Sequence, residues 1–127
     1  MDKASLVSID VERGAEILDI LDHSKVTINV ALWMHLAEYG DWRMVLSAKR
    51  FNVLSLRQVY GLIDEALNTA SFPLEKTPPL LILPLTDPFI KHLRTKFAKA
   101  KSVDGMRLGS QMIGDRFVED AYVYRIS

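Results

Sequence analysis

The sequence predicts the α+β class: a mixed five-stranded sheet with three helices, in the order α-β-β-α-β-α-β-β. Residues 78–85 form an uncharged apolar run with prolines at both ends, which is typical of a strand covered on both faces. Residues 26–37 alternate as a strand does, and three segments carry apolar residues at helical spacing. We expect the other elements to cover or pair with the strand at residues 78–85, which would then be the centre of the fold.

Length and composition fit one domain spanning residues 1–127, because 49% of the residues are hydrophobic and 25% are charged. The 16 basic and 16 acidic residues cancel, so the chain as a whole is not attracted to nucleic acid or membranes. There is no cysteine, which excludes disulfides, thiol nucleophiles and zinc sites built on thiolates. The first residues do not resemble a secretory signal and no apolar run is long enough to span a bilayer, so we expect a cytoplasmic protein.

A helix and a hairpin are predicted in the first part of the chain. Asp10 is the expected N-cap of a helix with an acidic outer face. The alternation of residues 26–37 resumes at Trp42, beyond a turn at residues 38–41, which predicts a β-hairpin. Trp33 falls on the more polar side of the first strand, so we expect a helix or a partner chain to cover that side too.

Two further helices have clear start signals. Ser55 and Gln58 have the spacing of a capping box, in which the two side chains satisfy reciprocal backbone donors, and the helix is expected to run to about residue 68. Asp87 is the expected cap of a helix over residues 88–101. Proline occupies the first position of that helix, where a missing N–H is not needed.

The chain is predicted to end in a second hairpin, in which residues 106–113 pair with residues 117–126 across a turn at residues 114–116. Its second strand contains the motif Glu-Asp-Ala-Tyr-Val-Tyr-Arg at residues 119–125. Four other segments accompany this motif: Ala31-Leu32-Trp33, Asp41-Trp42-Arg43-Met44-Val45-Leu46, Tyr60 with Glu65-Ala66-Leu67, and Asp87-Pro88. Together they resemble a group of small uncharacterised bacterial proteins of unknown function, over most of the chain from about residue 15. The resemblance supports the hairpin and implies no activity.

Glu119 and Asp120 are the most conspicuous acidic pair. Neighbours on a strand point to opposite faces, so these carboxylates are not expected to share a proton or a metal ion. If Glu119 faces the interior it needs a partner, and we expect an arginine on a nearby strand: Arg43, Arg107 or Arg125. A structural ion pair is favoured over catalysis. The polar cluster considered for a functional or structural role comprises Arg43, Glu119, Asp120, Tyr122, Tyr124 and Arg125.

No catalytic or metal-binding motif is recognisable in the sequence. The three histidines, His23, His35 and His92, are far apart, and only His23 has a carboxylate, Asp19, at a ligand-like spacing. We expect all three to be structural or exposed to solvent. There is no nucleophile elbow and no phosphate-binding glycine loop. The sequence therefore predicts no catalytic residue, no metal and no cofactor.

The basic face of the helix over residues 88–101 is the main functional lead. It comprises Lys91, Arg94, Lys96, Lys99 and Lys101, together with His92, without an acidic residue among them. Such a face, beside an apolar stripe, is able to bind phosphates. The plainer interpretations are a solvated surface, or a helix that meets the acidic first helix within one chain or across a dimer.

The favoured hypothesis is a small cytoplasmic protein-interaction module without catalytic activity, with a protein partner. We expect a homodimer, formed by edge pairing of the strand at residues 26–37 or of the terminal strand. One alternative is binding of nucleic acid or another polyanion through the basic face of residues 88–101. The other alternative is a metal-dependent hydrolase or nuclease centred on Glu119 and Asp120.

Overall fold

The computed structural model describes residues 6, 8–38 and 40–127. Parts of the predicted lead-in and of the first hairpin turn, at residues 1–5, 7 and 39, lie outside the described residues. Helices and strands follow one another in the predicted order. The elements are α1 (Ser8–His23), β1 (Val30–Leu36), β2 (Asp41–Ala48), α2 (Leu56–Thr69), β3 (Leu80–Pro84), α3 (Pro88–Lys96), β4 (Arg107–Ile113) and β5 (Arg116–Ile126), with short 3₁₀ helices at Lys49–Val53 and Leu74–Lys76.

The five strands form one mixed sheet in the order β3-β2-β1-β5-β4. β1 pairs antiparallel with β2 and with β5, β3 runs parallel to β2, and β4 pairs antiparallel with β5. The predicted α+β class, the mixed sheet and both hairpins are thus confirmed. β1 is the central strand, and all of its residues are buried, because helices cover the sheet on both sides.

Helices α1 and α2 pack on one face of the sheet and α3 packs on the other. On the first face they enclose a buried cluster, the α1–α2 core, with Ile17, Leu21, Trp33, Met44, Leu46 and Ile63 among its members. On the second face lies the α3 core, with Leu32, Met34, Phe89, Ile90, Leu93 and Val123 among its members. Trp33 is only 3% exposed, which confirms that its side of the sheet is covered.

The apolar run at residues 78–85 is an edge strand, and the prediction that it is the centre of the fold is wrong. β3 pairs with β2 alone, and the side chains at its two ends are only partly buried. Groups from α2 and a 3₁₀ helix satisfy its backbone: the Tyr60 hydroxyl donates to the Leu80 carbonyl at 3.3 Å, and Asn52 Oδ1 accepts from the Leu85 N–H at 2.8 Å. The run is apolar because its side chains pack into both cores, Ile82 into the α1–α2 core and Leu83 into the α3 core.

Both predicted caps of the later helices are confirmed. Ser55 Oγ accepts from the Gln58 N–H at 3.2 Å, and Gln58 Oε1 accepts from the Ser55 N–H at 2.9 Å. Asp87 Oδ1 accepts from the Phe89 N–H at 2.9 Å, with proline in the first position of α3.

Two helix boundaries differ from the prediction. α1 begins at Ser8, so Asp10 lies in its first turn and is not its cap. α3 ends at Lys96 and not at residue 101. After Phe97 the chain offers no large apolar side chain until Val103, and a helix of this length depends on such packing for its stability.

The first strand is shorter than predicted and is not an edge. β1 begins at Val30, whereas Val26 closes the end of α1 through a bond from its N–H to the Leu21 carbonyl at 2.9 Å. Val26 and Ile28 pack into the α1–α2 core, on the side opposite to Val30. The free edges are β3 and β4, so the prediction of edge pairing through the first or the last strand is wrong.

Candidate functional site: the open edge of the sheet

The terminal hairpin turns tightly enough to bring β4 alongside β5 over its whole length. Ile113 pairs with Arg116, so the turn consists of Gly114 and Asp115 and does not include Arg116 as predicted. Gly114 has φ +62, a conformation that two-residue hairpin turns require and that glycine adopts without strain. The hairpin thus makes β4 the last strand of the sheet.

β4 differs from the other edge because nothing within the described part of the chain closes it. It has 7 residues and no proline, whereas β3 has 5 residues and ends in proline. Leu108 and Ile113 are buried in the α3 core, but no described β4 side chain belongs to the α1–α2 core. The side of β4 that faces away from α3 is therefore exposed.

An apolar pair lies on this exposed side. Met112 and Phe117 are opposite each other in the ladder and are 60% and 50% exposed. An unpaired strand edge next to exposed apolar side chains is the combination that strand-adding partners use.

β5 is distorted beside this edge. Val118 and Ala121 both belong to the α3 core, although residues three apart on a regular strand point to opposite faces. Ser110, on β4, has φ +41, which shows the same irregularity on the neighbouring strand. The distortion lies at Glu119 and Asp120, the acidic pair singled out from the sequence.

Glu119 bonds to a histidine and not to an arginine, so the predicted partner is wrong. His35 Nδ1 lies 2.8 Å from Glu119 Oε1, although the two residues are 84 positions apart in the chain. Local sequence patterns do not reveal a partner at that separation, and the only available signal was the position of His35 on the more polar side of β1. The contact explains how a partly buried carboxylate is satisfied in the interior.

His35 has the orientation of a general base but no access to a substrate. Its ring is edge-on to Trp42 at 5.5 Å, and its Nε2 is buried without a hydrogen-bond partner among the described residues. A carboxylate that fixes Nδ1–H leaves Nε2 as the acceptor, as in catalytic triads. Because His35 is only 3% exposed, this structure supports a role in packing.

The predicted polar cluster is divided among separate places in the structure. Arg107 bonds to Asp120 at 2.6 Å on the surface of the terminal hairpin. Arg125 forms a two-point contact with Asp22 of α1, at 2.9 and 2.7 Å, and its hydrogen bonds lower the pKa of Asp22. Arg43 lies 3.3 Å from Asp41 within β2. Glu119 and Asp120 therefore do not act together, and we do not propose the hydrolase or nuclease hypothesis.

Tyr124 has a structural position between α1 and the sheet. The ladder between β1 and β5 shifts register at Ala31, and the extra residue is Tyr124. Its hydroxyl donates to the Val11 carbonyl at 2.7 Å and accepts from Trp33 Nε1 at 2.8 Å. Burial raises the pKa of Tyr124 to about 12. Tyr122 contacts the Tyr124 ring edge-on, with the ring centroids 5.4 Å apart, so the two rings pack against each other.

The predicted basic face is also divided. Lys91 and Arg94 line a groove of about 670 Å³ between α3 and the end of β5, where Arg94 Nε donates to the Ser127 carbonyl at 2.8 Å. Lys96 turns towards β4, and its Nζ lies 3.0 Å from Gln111 Oε1. The last two lysines, Lys99 and Lys101, lie beyond α3 on the exposed segment that leads to β4.

The described residues offer no cluster of metal ligands, and one of their other clefts has a mixed lining. No group of three or more histidine, aspartate or glutamate side chains among them is placed to hold a metal ion. The cleft, of about 240 Å³, opens beside Trp33 and Trp42 and has charged residues of both signs at its rim. Within the same residues, no helix has the length and apolar character needed to cross a bilayer.

Comparison with known proteins adds no relative. No family model, no curated protein and no solved structure matches this chain. The resemblance to small uncharacterised bacterial proteins therefore stays a prediction, and the function has to be argued from the geometry of the sheet edge and of the basic groove.

Proposed function

We propose that this protein is a small cytoplasmic interaction module, which acts by binding a protein partner along the free edge of β4. The observation that carries this proposal is the contrast between the two edges of one sheet. The β3 edge is short, ends in proline and has its Leu80 carbonyl bonded by the Tyr60 hydroxyl at 3.3 Å. The β4 edge is longer and has no proline, and the side-chain bond to its Gly109 carbonyl is long, at 3.5 Å. Proteins ordinarily block an edge that has no use.

Backbone groups of β4 are directed to the free side. Val123 of β5 exchanges hydrogen bonds with Gly105 and Met106, at 2.8 and 2.9 Å. Backbone directions alternate along a strand, so Gly109, which lies opposite Asp120, turns its N–H and C=O away from β5. The side chain of Gln111 reaches the Gly109 carbonyl only at 3.5 Å. An added strand would replace this weak contact.

Two kinds of occupant fit such an edge. A second copy of the chain would join two sheets across a two-fold axis, giving a homodimer through a different strand from the two that the sequence suggested. An extended segment of another protein would add one strand to the sheet. Either contact is small, so we expect a transient complex and not an obligate one.

Gly109→Pro tests the proposal. Proline removes the outward N–H and obstructs an added strand, yet it is tolerated on an edge where the N–H faces solvent. Gly109→Ala is the matched control, because a Cβ here would meet the Glu119 carbonyl at an ordinary 3.9 Å. We expect the proline variant to capture at least tenfold less partner from native lysate than the alanine variant, at unchanged melting temperature. Equal capture by two folded variants would disprove binding through β4.

Binding of a polyanion is the second candidate function. It is favoured by the lining of the groove between α3 and β5, which contains Lys91 and Arg94 and no acidic side chain. Phe97 and Ile126 add an apolar part to the same groove. A phosphate-bearing ligand would find two cations and apolar contacts in the same groove.

The salt dependence of binding tests this second candidate. The logarithm of the binding constant for a labelled single-stranded oligonucleotide should fall linearly with the logarithm of the salt concentration. In the double variant Lys91→Gln with Arg94→Gln, we expect this slope to be smaller by about 1 for each phosphate that is no longer neutralised. Lys49→Gln together with Lys76→Gln is a control with the same loss of charge elsewhere on the surface. If both double variants bind alike, the groove is not a phosphate site.

A further inference from the structure

Two exposed cations, Lys96 and Arg107, lie at the β4 edge. Between Lys96 and Ile113 the chain has four cations, at positions 96, 99, 101 and 107, against a single carboxylate, Asp104. The side chain of Lys96 reaches β4 directly and bonds to Gln111 at 3.0 Å. Arg107 is itself on β4 and remains 53% exposed while it bonds to Asp120. A partner that aligns with β4 therefore meets Lys96 on the α3 side of the sheet and the exposed part of Arg107, whose charge Asp120 partly neutralises.

Self-pairing of β4 would bring like charges together. In an antiparallel pair of two β4 strands, a two-fold axis perpendicular to the sheet places both copies of α3 on the same face, beside the junction. Because Lys96 lies beside Gln111, a pairing centred on this part of β4 would bring the two Lys96 side chains to the same face near the junction. At physiological ionic strength charges act over about 8 Å, so this repulsion opposes a dimer through β4.

The apolar pair on the hairpin adds a second requirement for the partner. Met112 and Phe117 are exposed on the side of the sheet that faces away from α3. On an added strand, every second side chain points to that side. One apolar residue of the partner would cover this pair, while its acidic neighbours point to the lysines on the α3 side.

We infer that the β4 edge binds an extended acidic segment of another protein, in which carboxylates alternate with apolar side chains. This inference rests on the proposed function and specifies the chemistry of the partner. It replaces the homodimer expected from the sequence, because charge complementarity favours an acidic strand over a second copy of this basic edge.

Selection from a random peptide library tests the inference without assuming a sequence. A phage library of random dodecapeptides would be selected on the whole protein, with removal of phage that also bind Gly109→Pro. We expect enriched peptides to contain alternating carboxylates and apolar residues. Enrichment of neutral or basic peptides would overturn the inference and leave the proposed function standing. A failure to enrich any peptide over the proline variant would overturn both.

A charge reversal and a mass measurement complete the test. Lys96→Glu should weaken binding of the selected acidic peptide by roughly 1.5- to 5-fold at low salt, because each exposed ion pair contributes about 0.2–1 kcal/mol. Lys49→Glu, beside the β3 edge, makes the same change of net charge and should leave the affinity unchanged. Equal effects of the two variants would overturn the inference. The inference would also be overturned if light scattering gave the mass of a dimer for the wild type and the mass of one chain for Gly109→Pro.

Discussion

Gly14 lies where α1 passes closest to the sheet, and at the scale of single residues it explains how the first helix docks. A Cβ at this position would overlap the Tyr124 hydroxyl and would lie 2.8 Å from Trp33 Nε1. Those two groups are hydrogen-bonded to each other and, through Tyr124, to the Val11 carbonyl of α1. Glycine is thus required by the close approach, although it weakens the helix in isolation.

Gly14→Ala should destabilise the protein by about 1–3 kcal/mol, since the added methyl group overpacks the contact with Tyr124 and Trp33. Gly61→Ala is the matched control, because Gly61 is an exposed glycine of α2 with nothing within 4 Å of an added Cβ. That substitution should stabilise the protein by roughly 0.5–1 kcal/mol through helix propensity. Urea unfolding of the two variants measures both effects, and a gain of stability in both would contradict the packing at Gly14.

The pair formed by Arg125 and Asp22 connects two elements, the last strand and the end of α1. The guanidinium bonds to both carboxylate oxygens and also to the Ile28 carbonyl at 3.0 Å. These bonds lower the pKa of Asp22 below its ordinary value of 3.8. Folding therefore favours the ionised carboxylate, and the resulting stability is present above pH 3.8 and is lost as the pH falls through the lower, folded-state pKa.

Asp22→Asn should lower the free energy of unfolding at pH 7 by no more than about 1 kcal/mol, because both side chains are about a third exposed. The difference from the wild type should shrink when the pH falls below 3.8, as the wild-type carboxylate becomes protonated. Asp64→Asn, an exposed position on α2, controls for the loss of one charge. Urea unfolding at several pH values gives the comparison, and a difference that persists unchanged at acid pH would rule out the ion pair as its source.

Elements whose signals are local were predictable from the sequence, and long-range relations were not. The capping box at Ser55 and the cap at Asp87 each depend on residues within three positions, and both are confirmed. The bond between His35 and Glu119 joins two strands whose pairing the sequence does not state. The run at residues 78–85 was wrongly predicted to be the centre of the fold, because an edge strand covered on both faces and a central strand both favour apolar residues.

The open edge could not be predicted for the same reason. Whether β4 is an edge depends on the order of all five strands, and hydrophobic patterns do not encode that order. The exposed residues of β4 look ordinary in sequence because polar residues are common on any half-covered strand. The sequence identifies Lys96 and Arg94 as candidates, but only the structure shows that they point to different places, the strand edge and the groove.

At the scale of the whole molecule, charge is divided between the two faces of the sheet. The acidic α1 and the basic α3 pack on opposite faces, so the idea that they meet within one chain is wrong. The neutral net charge of the protein therefore conceals a basic side, which includes the β4 edge and the groove beside Arg94. Electrostatic attraction can steer a partner to that side even though the chain has no net charge.

The most direct test of binding through β4 is an amide NMR titration of the isotope-labelled protein with an acidic peptide obtained by selection. We expect the largest shift changes at Arg107–Ile113, with slower hydrogen exchange of the outward amides, and we expect them to be absent in Gly109→Pro. Changes centred on Lys91 and Arg94 would contradict binding at the edge and would favour the basic groove. Unchanged spectra at saturating peptide would contradict both sites.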